Sequence, residues 1–227
     1  MTTETTTLMF REAAEAAAAC RRQRALNAPA LAALGERLRR DPPRAVVTLA
    51  RGSSDNAATY GRYLLETRAR VLTSSLAPSV SSIYGAPPQL DGTIVLAISQ
   101  SGGSPDLVAA ARGAREAGAL VVAMVNVPDS PLADAADIVL PLAAGPERSV
   151  AATKSFIASL HALAALTAAW TQDDALAQAL DMLPDALDRA WALDWSAGDA
   201  VLQAVGAHRR STAALERLGD RVLLVVG

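Results

Sequence analysis

Apolar positions along this chain fall into two rhythms. Continuous runs of aliphatic and β-branched residues occur at 45–50, 70–74, 93–98, 120–125 and 138–142, the signature of buried strands. Between most of them apolar residues return every three or four positions, as at 56–67 and 104–117. In the second of these, Leu107, Val108, Ala111, Ala114 and Ala117 share one face of a helix. Strands alternating with helices predict βαβ units, and these predict a parallel sheet covered on both faces. Two Ala/Arg-rich helices, 8–24 and 28–40, precede the first strand, separated at Asn27-Ala28-Pro29 and stopped by Asp41-Pro42-Pro43. They are expected to pack across that strand or across a partner subunit. From about Val150 to Gly219 the pattern is almost wholly helical, with Trp170, Trp191 and Trp195 as packing anchors. Residues 222–226 return to a buried-strand pattern resembling 45–50.

In a parallel sheet, ligands sit beyond the carboxyl ends of the strands, so the residues just after each run carry the candidate chemistry. After 93–98 comes Ser99-Gln100-Ser101-Gly102-Gly103-Ser104-Pro105, with Ser104 at the N-cap of the next helix and Gly118 just past its end. Such a turn aims backbone N–H groups and serine hydroxyls at one point, beside the positive end of a helix dipole, and so suits a phosphate. A flexible Ser/Gly loop is the plainer alternative, but linkers rarely join a clean strand to a well-capped helix. Arg51-Gly52-Ser53-Ser54-Asp55, after the first run, repeats the same small, neutral, hydrogen-bonding chemistry. The loop after 138–142 holds Glu147, a candidate acid or base, although a loop glutamate is ordinarily solvated. Lys154 follows in the first turn of a helix, where a cation opposes the dipole. A nearby anion would explain it, and so would solvent. Asn126-Val127-Pro128-Asp129-Ser130-Pro131 reads as a plain capped turn.

Composition narrows the classes. Over 227 residues, 51% are hydrophobic and only 4% aromatic, which predicts a packed core of Ala, Val and Leu and excludes a disordered chain. The net charge is −2 with no long block of one sign, which argues against nucleic acid or a membrane surface as the partner. Cys20 is the single cysteine, so no internal disulfide can form, in keeping with a reducing, cytoplasmic setting. Residues 1–7 are polar and no apolar run reaches membrane length, so neither a signal peptide nor an anchor is expected. His161 and His208 lie far apart without ligand-spaced partners, so both read as ordinary helix residues and no metal is expected. The motifs GxGxxG, GxxxxGK[ST] and GxSxG are absent.

Three motifs, each after a different predicted strand, together resemble the sugar isomerase (SIS) domain family. They are Arg51-Gly52-Ser53-Ser54, Ile98-Ser99-Gln100-Ser101-Gly102-Gly103-Ser104 and Glu147-Arg148-Ser149-Val150-Ala151-Ala152-Thr153-Lys154. The family includes the isomerase half of glucosamine-6-phosphate synthase and stand-alone phosphosugar isomerases and deaminases. The resemblance implies an α/β fold, a flavodoxin-like three-layer αβα sandwich with a five-stranded parallel sheet, in agreement with the strand count. It implies that Ser99, Gln100, Ser101 and Ser104 hold a sugar phosphate, that Gly52, Ser53 and Ser54 line the same site, and that Val150 and Ala152 meet the sugar end. The family commonly has Cys at Arg51 and often Thr at Ser104. The synthase has Ser at Ala152, so one hydroxyl contact is missing here.

The same resemblance divides the chain into an N-terminal helical segment (1–42), the SIS domain (43–172), a helical connector (173–219) and the first strand of a second SIS domain (220–227). The family's catalytic Glu, Lys and His belong to the second domain or a neighbouring subunit, which leaves Glu147 as the in-chain candidate. Met1-Thr2-Thr3 lacks the N-terminal cysteine of the synthase's glutaminase domain. The motifs look most like the stand-alone amino-sugar phosphate deaminase/isomerase branch. That branch implies conversion of a substrate such as glucosamine 6-phosphate to fructose 6-phosphate and ammonia, in a homodimer, with no metal or organic cofactor. The alternative is a sugar-phosphate-sensing regulator, against which the short length and mixed charge of 1–42 speak. A flavodoxin-like structural domain without a ligand would have to treat three hydroxyl-rich loops as coincidence.

Overall fold

The computed structural model describes residues 7–86, 88–149 and 152–192. Within them the apolar runs form five strands, β1 (Val46–Leu49), β2 (Thr73–Ser75), β3 (Ile94–Ser99), β4 (Leu120–Val125) and β5 (Ile138–Pro141). All pair in parallel, in the order β2-β1-β3-β4-β5. Every residue of β3 is buried, because side chains alternate between two covered faces. Ile94, Leu96 and Ile98 join one core and Val95 and Ala97 the other. The first core is closed by helices α2 (Ala16–Arg40), α3 (Ser53–Leu64) and α7 (Lys154–Thr171), with Leu34, Leu38, Ala57, Leu163, Leu166 and Trp170 buried there, and α1 (Leu8–Ala14) packs on α2 and α7. On the other face lie α4 (Pro78–Ser82), α5 (Pro105–Glu116) and α6 (Pro131–Asp134), which bury Leu107, Ala111 and Leu132. The result is the three-layer αβα sandwich. Helix α8 (Asp174–Trp191) adds Leu176, Leu180 and Leu183 against Ala164 and Ala168 of α7. Each fully buried Leu is worth about 1.5–3 kcal/mol relative to exposure.

Strand order sets the place for chemistry. The chain leaves β1 for the edge strand β2, then returns to the other side of β1 to lay down β3, β4 and β5. Connections from β1 and β3 therefore diverge, and a crevice opens beyond their carboxyl ends. Leu49 pairs with Ala97, so the loops starting at Ala50 and Gln100 stand side by side.

Three elements depart from the sequence pattern. Asn27-Ala28-Pro29 does not divide two helices: α2 runs through it, and the break lies at Glu15 instead. Pro29 deletes one backbone hydrogen bond, but α2 is held along its length by α7 and by tertiary bonds from Gln23 and Asn27. The second strand starts at Thr73 rather than at 70, because the preceding helix ends in a π-helical turn, Leu65–Ala69, with Arg70 left-handed at φ 55°. Glu66 then accepts a bond from the Thr73 amide. The N-terminal helices pack mainly on α7 and β5 rather than across β1. Trp170 is buried in the core, whereas Trp191 is 40% exposed. Trp195, His208, most of the 173–219 connector and the 222–226 strand pattern lie outside the described residues. Among the described residues, no helix is long and apolar enough to cross a membrane.

His161 shows how tightly α2 and α7 are joined. It is 2% exposed, and its Nδ1–H donates to the Gln23 Oε1, while the Gln23 amide donates to the carbonyls of Leu142 (3.0 Å) and Ala158 (2.9 Å). Gln23 uses both amide protons, so only its oxygen is left for the imidazole. Burial, helped by the Arg24 charge, pushes the His161 pKa down to about 4. The unfolded chain takes this proton near pH 6.5, so it binds more protons than the folded one between about pH 4 and 6.5. The resulting stability is whole above pH 6.5 and is lost as pH falls toward 4. Comparing urea midpoints at pH 7 and pH 4.5, wild type should lose on the order of 2 kcal/mol more than His161→Gln. Equal losses in the two proteins would refute it.

Candidate functional site

A cavity of about 220 Å³ opens at the crevice between β1 and β3. Seven of the residues singled out in the sequence line it: Ser53 and Ser54 at the start of α3, Ser99, Gln100, Ser101 and Ser104 after β3, and Ala152 before α7. Gly52 stands beside it as the N-cap of α3, at φ 58°, with open space where a Cβ would go. Its left-handed backbone, not crowding, is what calls for glycine there. Val150 lies outside the described residues.

The turn after β3 is shaped by its own side chains. Ser99 Oγ, buried, accepts from the Gly102 amide (3.0 Å), and Ser101 Oγ accepts from the Gly103 amide (3.3 Å). Gly102 sits at φ 64°, and its carbonyl accepts from the Leu132 amide (3.0 Å). Ser104 occupies the N-cap of α5 without making a side-chain cap bond, which leaves its hydroxyl to the cavity. Arg51 is a cation on the lining, and its guanidinium pairs with Asp106 in the first turn of α5 (2.9 Å). Two helix N-termini, serine hydroxyls and an arginine thus face one small space. Such a set suits an anion. Among the described residues, no three His, Cys, Asp or Glu side chains cluster as metal ligands would.

The remaining wall comes from α7, through Ser155, Phe156 and Ser159. Glu147 sets where that helix begins. Its Oε1 accepts from the amides of Thr153 and Lys154, both at 2.9 Å, and its Oε2 accepts from the Ser155 hydroxyl. The carboxylate is therefore a helix cap and not a solvated loop group, and it delays the helix from Val150 to Lys154. Lys154 is only 1% exposed and pairs with Glu15 (2.7 Å), so an anion, not solvent, accompanies it. Glu12, 5% exposed, accepts from the amides of Arg148 (2.7 Å) and Ser149 (3.0 Å) and from the Ser149 hydroxyl. The Ser149 hydroxyl first, then the Arg148 amide, hold its carboxyl below the usual carboxylate range.

The 126–131 segment is also more than a capped turn. The Asn126 side chain donates to Gly145 O and accepts from the Ala144 amide, both at 2.8 Å, tying it to the loop after β5. The Ser130 hydroxyl caps nothing and is buried against Gly102 without a partner. Sequence reasoning passed over Ser155, Phe156 and Ser159, although two serines four apart in an Ala/Leu helix mark a polar stripe. It also passed over Glu12 and Glu15, three apart in an Ala/Arg-rich stretch.

A flavodoxin-order sheet with an anion-suited pocket at its switch point defines a class of ligand-binding α/β domains. Within that class, a family model described as the SIS domain matches residues 42–169, more than half of the chain, and the chain belongs to this family. It is 43% identical over 124 residues to glutamine–fructose-6-phosphate aminotransferase [isomerizing] of Gluconobacter oxydans, covering 55% of this chain and 20% of that protein. The enzyme of the same name from Aeropyrum pernix is 34% identical over 183 residues, 76% of this chain and 28% of that one. A crystal structure from Silicibacter pomeroyi DSS-3, of a protein provisionally named a phosphosugar isomerase, superposes with a TM-score of 0.81 at 44% identity. The match covers 84% of this chain and 58% of that one. The matched part of the chain spans 20–28% of the length of these curated relatives.

The shape of the β3–α5 turn is open to a direct test. A Cβ on Gly102 would lie 2.1 Å from Ser130 Oγ and 2.6 Å from Ser130 Cβ, and the φ of 64° adds backbone strain. Gly102→Ala should destabilise by about 1–3 kcal/mol. Adding Ser130→Gly should recover only the steric part, leaving a residue of about 1 kcal/mol for the backbone. A Gly102→Ala melting curve identical to wild type would contradict the close packing.

Proposed function

We propose that this domain binds the phosphate of an open-chain sugar phosphate in the β1–β3 cavity, and that the full-length protein is a phosphosugar isomerase or deaminase. The observation that carries the reading is the meeting of two serine-bearing helix N-termini, those of α3 and α5, on one cavity. The phosphate is a handle and does not react. Its binding energy holds the sugar so that an acid/base group can move a proton between C1 and C2. The favoured substrate is an amino-sugar phosphate such as glucosamine 6-phosphate, which with one water yields fructose 6-phosphate and ammonia. Named relatives that act on fructose 6-phosphate support this substrate class. Ser99, Gln100, Ser101, Ser104, Ser53 and Ser54 receive the phosphate, and Ala152, with Val150, meets the sugar. The residues described here hold Glu147 in a capping role, so the proton-moving groups are assigned to a second SIS domain or a second subunit of a cytoplasmic homodimer. No cofactor enters this scheme.

The test is ammonia release and isomer formation by the full-length protein across a panel of hexosamine and hexose phosphates. Turnover of an amino-sugar phosphate is expected. No turnover on any member, together with specific operator binding, would make the protein a sugar-phosphate sensor instead. In the same protein, Ser101→Ala and Ser104→Ala should each weaken phosphosugar binding by about 1–3 kcal/mol, because each deletes a hydrogen bond to a charged group. Binding of the unphosphorylated sugar should be weak throughout and little changed. Calorimetry showing wild-type phosphosugar affinity in both variants would remove the turn from the site.

A further inference from the structure

The cavity has two walls with different supports. The serine turn after β3 is held by bonds within itself, from Ser99 and Ser101 to the amides of Gly102 and Gly103. The α7 wall is capped locally by Glu147 and is also held from a distance. Glu12, in α1, takes the amides of Arg148 and Ser149 and the Ser149 hydroxyl, more than 130 residues along the chain. Three residues later, Glu15 pairs with the buried Lys154. Between these two grips lies Ala152, which faces the cavity, and just after them come Ser155, Phe156 and Ser159. Each Glu12 oxygen takes one of the two amides, and Oε2 also takes the Ser149 hydroxyl, so an amide in its place would set an NH2 group against an N–H donor. That places a charged, 5%-exposed group where an N-terminal helix would otherwise need only apolar contacts.

We propose that Glu12 is a positioning residue for the sugar end of the cavity: by holding Arg148 and Ser149 it sets the α7 wall opposite the phosphate-binding turn. This deepens the phosphosugar reading above and rests on it. The consequence is a split between two ligands. Inorganic phosphate needs only the serine loops, whereas a phosphosugar needs both walls. Glu12 therefore governs affinity for the second and not for the first.

The experiment uses the full-length protein and its Glu12→Gln and Glu12→Ala variants. Calorimetry gives the affinity for glucosamine 6-phosphate and for inorganic phosphate, and amide hydrogen exchange follows the segment 147–155. Glu12→Ala should weaken glucosamine 6-phosphate about tenfold or more, leave inorganic phosphate within about twofold, and speed exchange in 147–155. Glu12→Gln, which keeps one acceptor oxygen, should fall between Ala and wild type. An unchanged phosphosugar affinity in Glu12→Ala overturns the proposal while leaving the phosphosugar reading intact. An equal loss for both ligands also overturns it, because that would be general damage and not positioning. Wild-type protein that binds phosphate but no phosphosugar overturns the reading itself, and the positioning role with it.

Discussion

At the carboxyl end of β5 three consecutive carbonyls, those of Pro141, Leu142 and Ala143, find their donors in α2 and not in the sheet. Asn27 serves the first, Gln23 the second and Arg22 the third. β5 is an edge strand, so the chain leaving it has no neighbouring strand to satisfy it. A buried carbonyl left without a donor costs about 1–3 kcal/mol, and α2 removes that cost at three successive positions. The third, Ala143, is also left-handed, at φ 54°, and the Arg22 guanidinium holds its carbonyl in that conformation. The path of the β5–α7 loop, and hence the start of α7, depends on this row of bonds. The N-terminal helices are part of the domain's working frame.

Two kinds of support thus meet at one pocket. Topology alone supplies the first: the order β2-β1-β3-β4-β5 makes the first and third loops diverge, and small polar residues after those strands face the gap. The second is electrostatic and long-range. Around the start of α7, Glu147 takes the amides of the helix terminus, Glu15 pairs with the buried Lys154, and Glu12 takes two amides of the loop before it. A lysine in that position would be unfavourable beside the positive end of a helix dipole if the carboxylates were absent.

What could be inferred from the sequence follows the same division. Strand runs and the helix 104–117 came from local periodicity, and α5 begins and ends within a residue or two of expectation because Ser104, Pro105 and Gly118 punctuate it locally. The serine loops were visible because topology, not tertiary detail, brings them together. Pro29 misled because its local cost is outweighed by packing along α7 and by Asn27 bonding to Pro141, 114 positions away. Lys154 was noticed, but its partner could not be read, since Glu15 lies 139 residues away. Glu147 was noticed too, but its role as a cap depends on the loop's path over the next six to eight residues. Ser155 and Ser159 were hidden inside a helix whose other positions read as core.

The separation of these partners also has a consequence in time. Helix α2 is synthesised before α7, so the groups that satisfy Asn27, Gln23 and Glu12, and the α7 surface that covers Leu34 and Leu38, follow it by more than a hundred residues. At about 5–20 residues per second, a ribosome needs about 7–28 s to pass from Leu31 to Trp170. Through that interval Leu34 and Leu38 of α2 lack the α7 residues that share their core in the folded domain. The β1–β4 half of the sheet can pair in the meantime. The α2–α7 contact is thus a long-range one, and it can form only after the intervening sheet strands have been made.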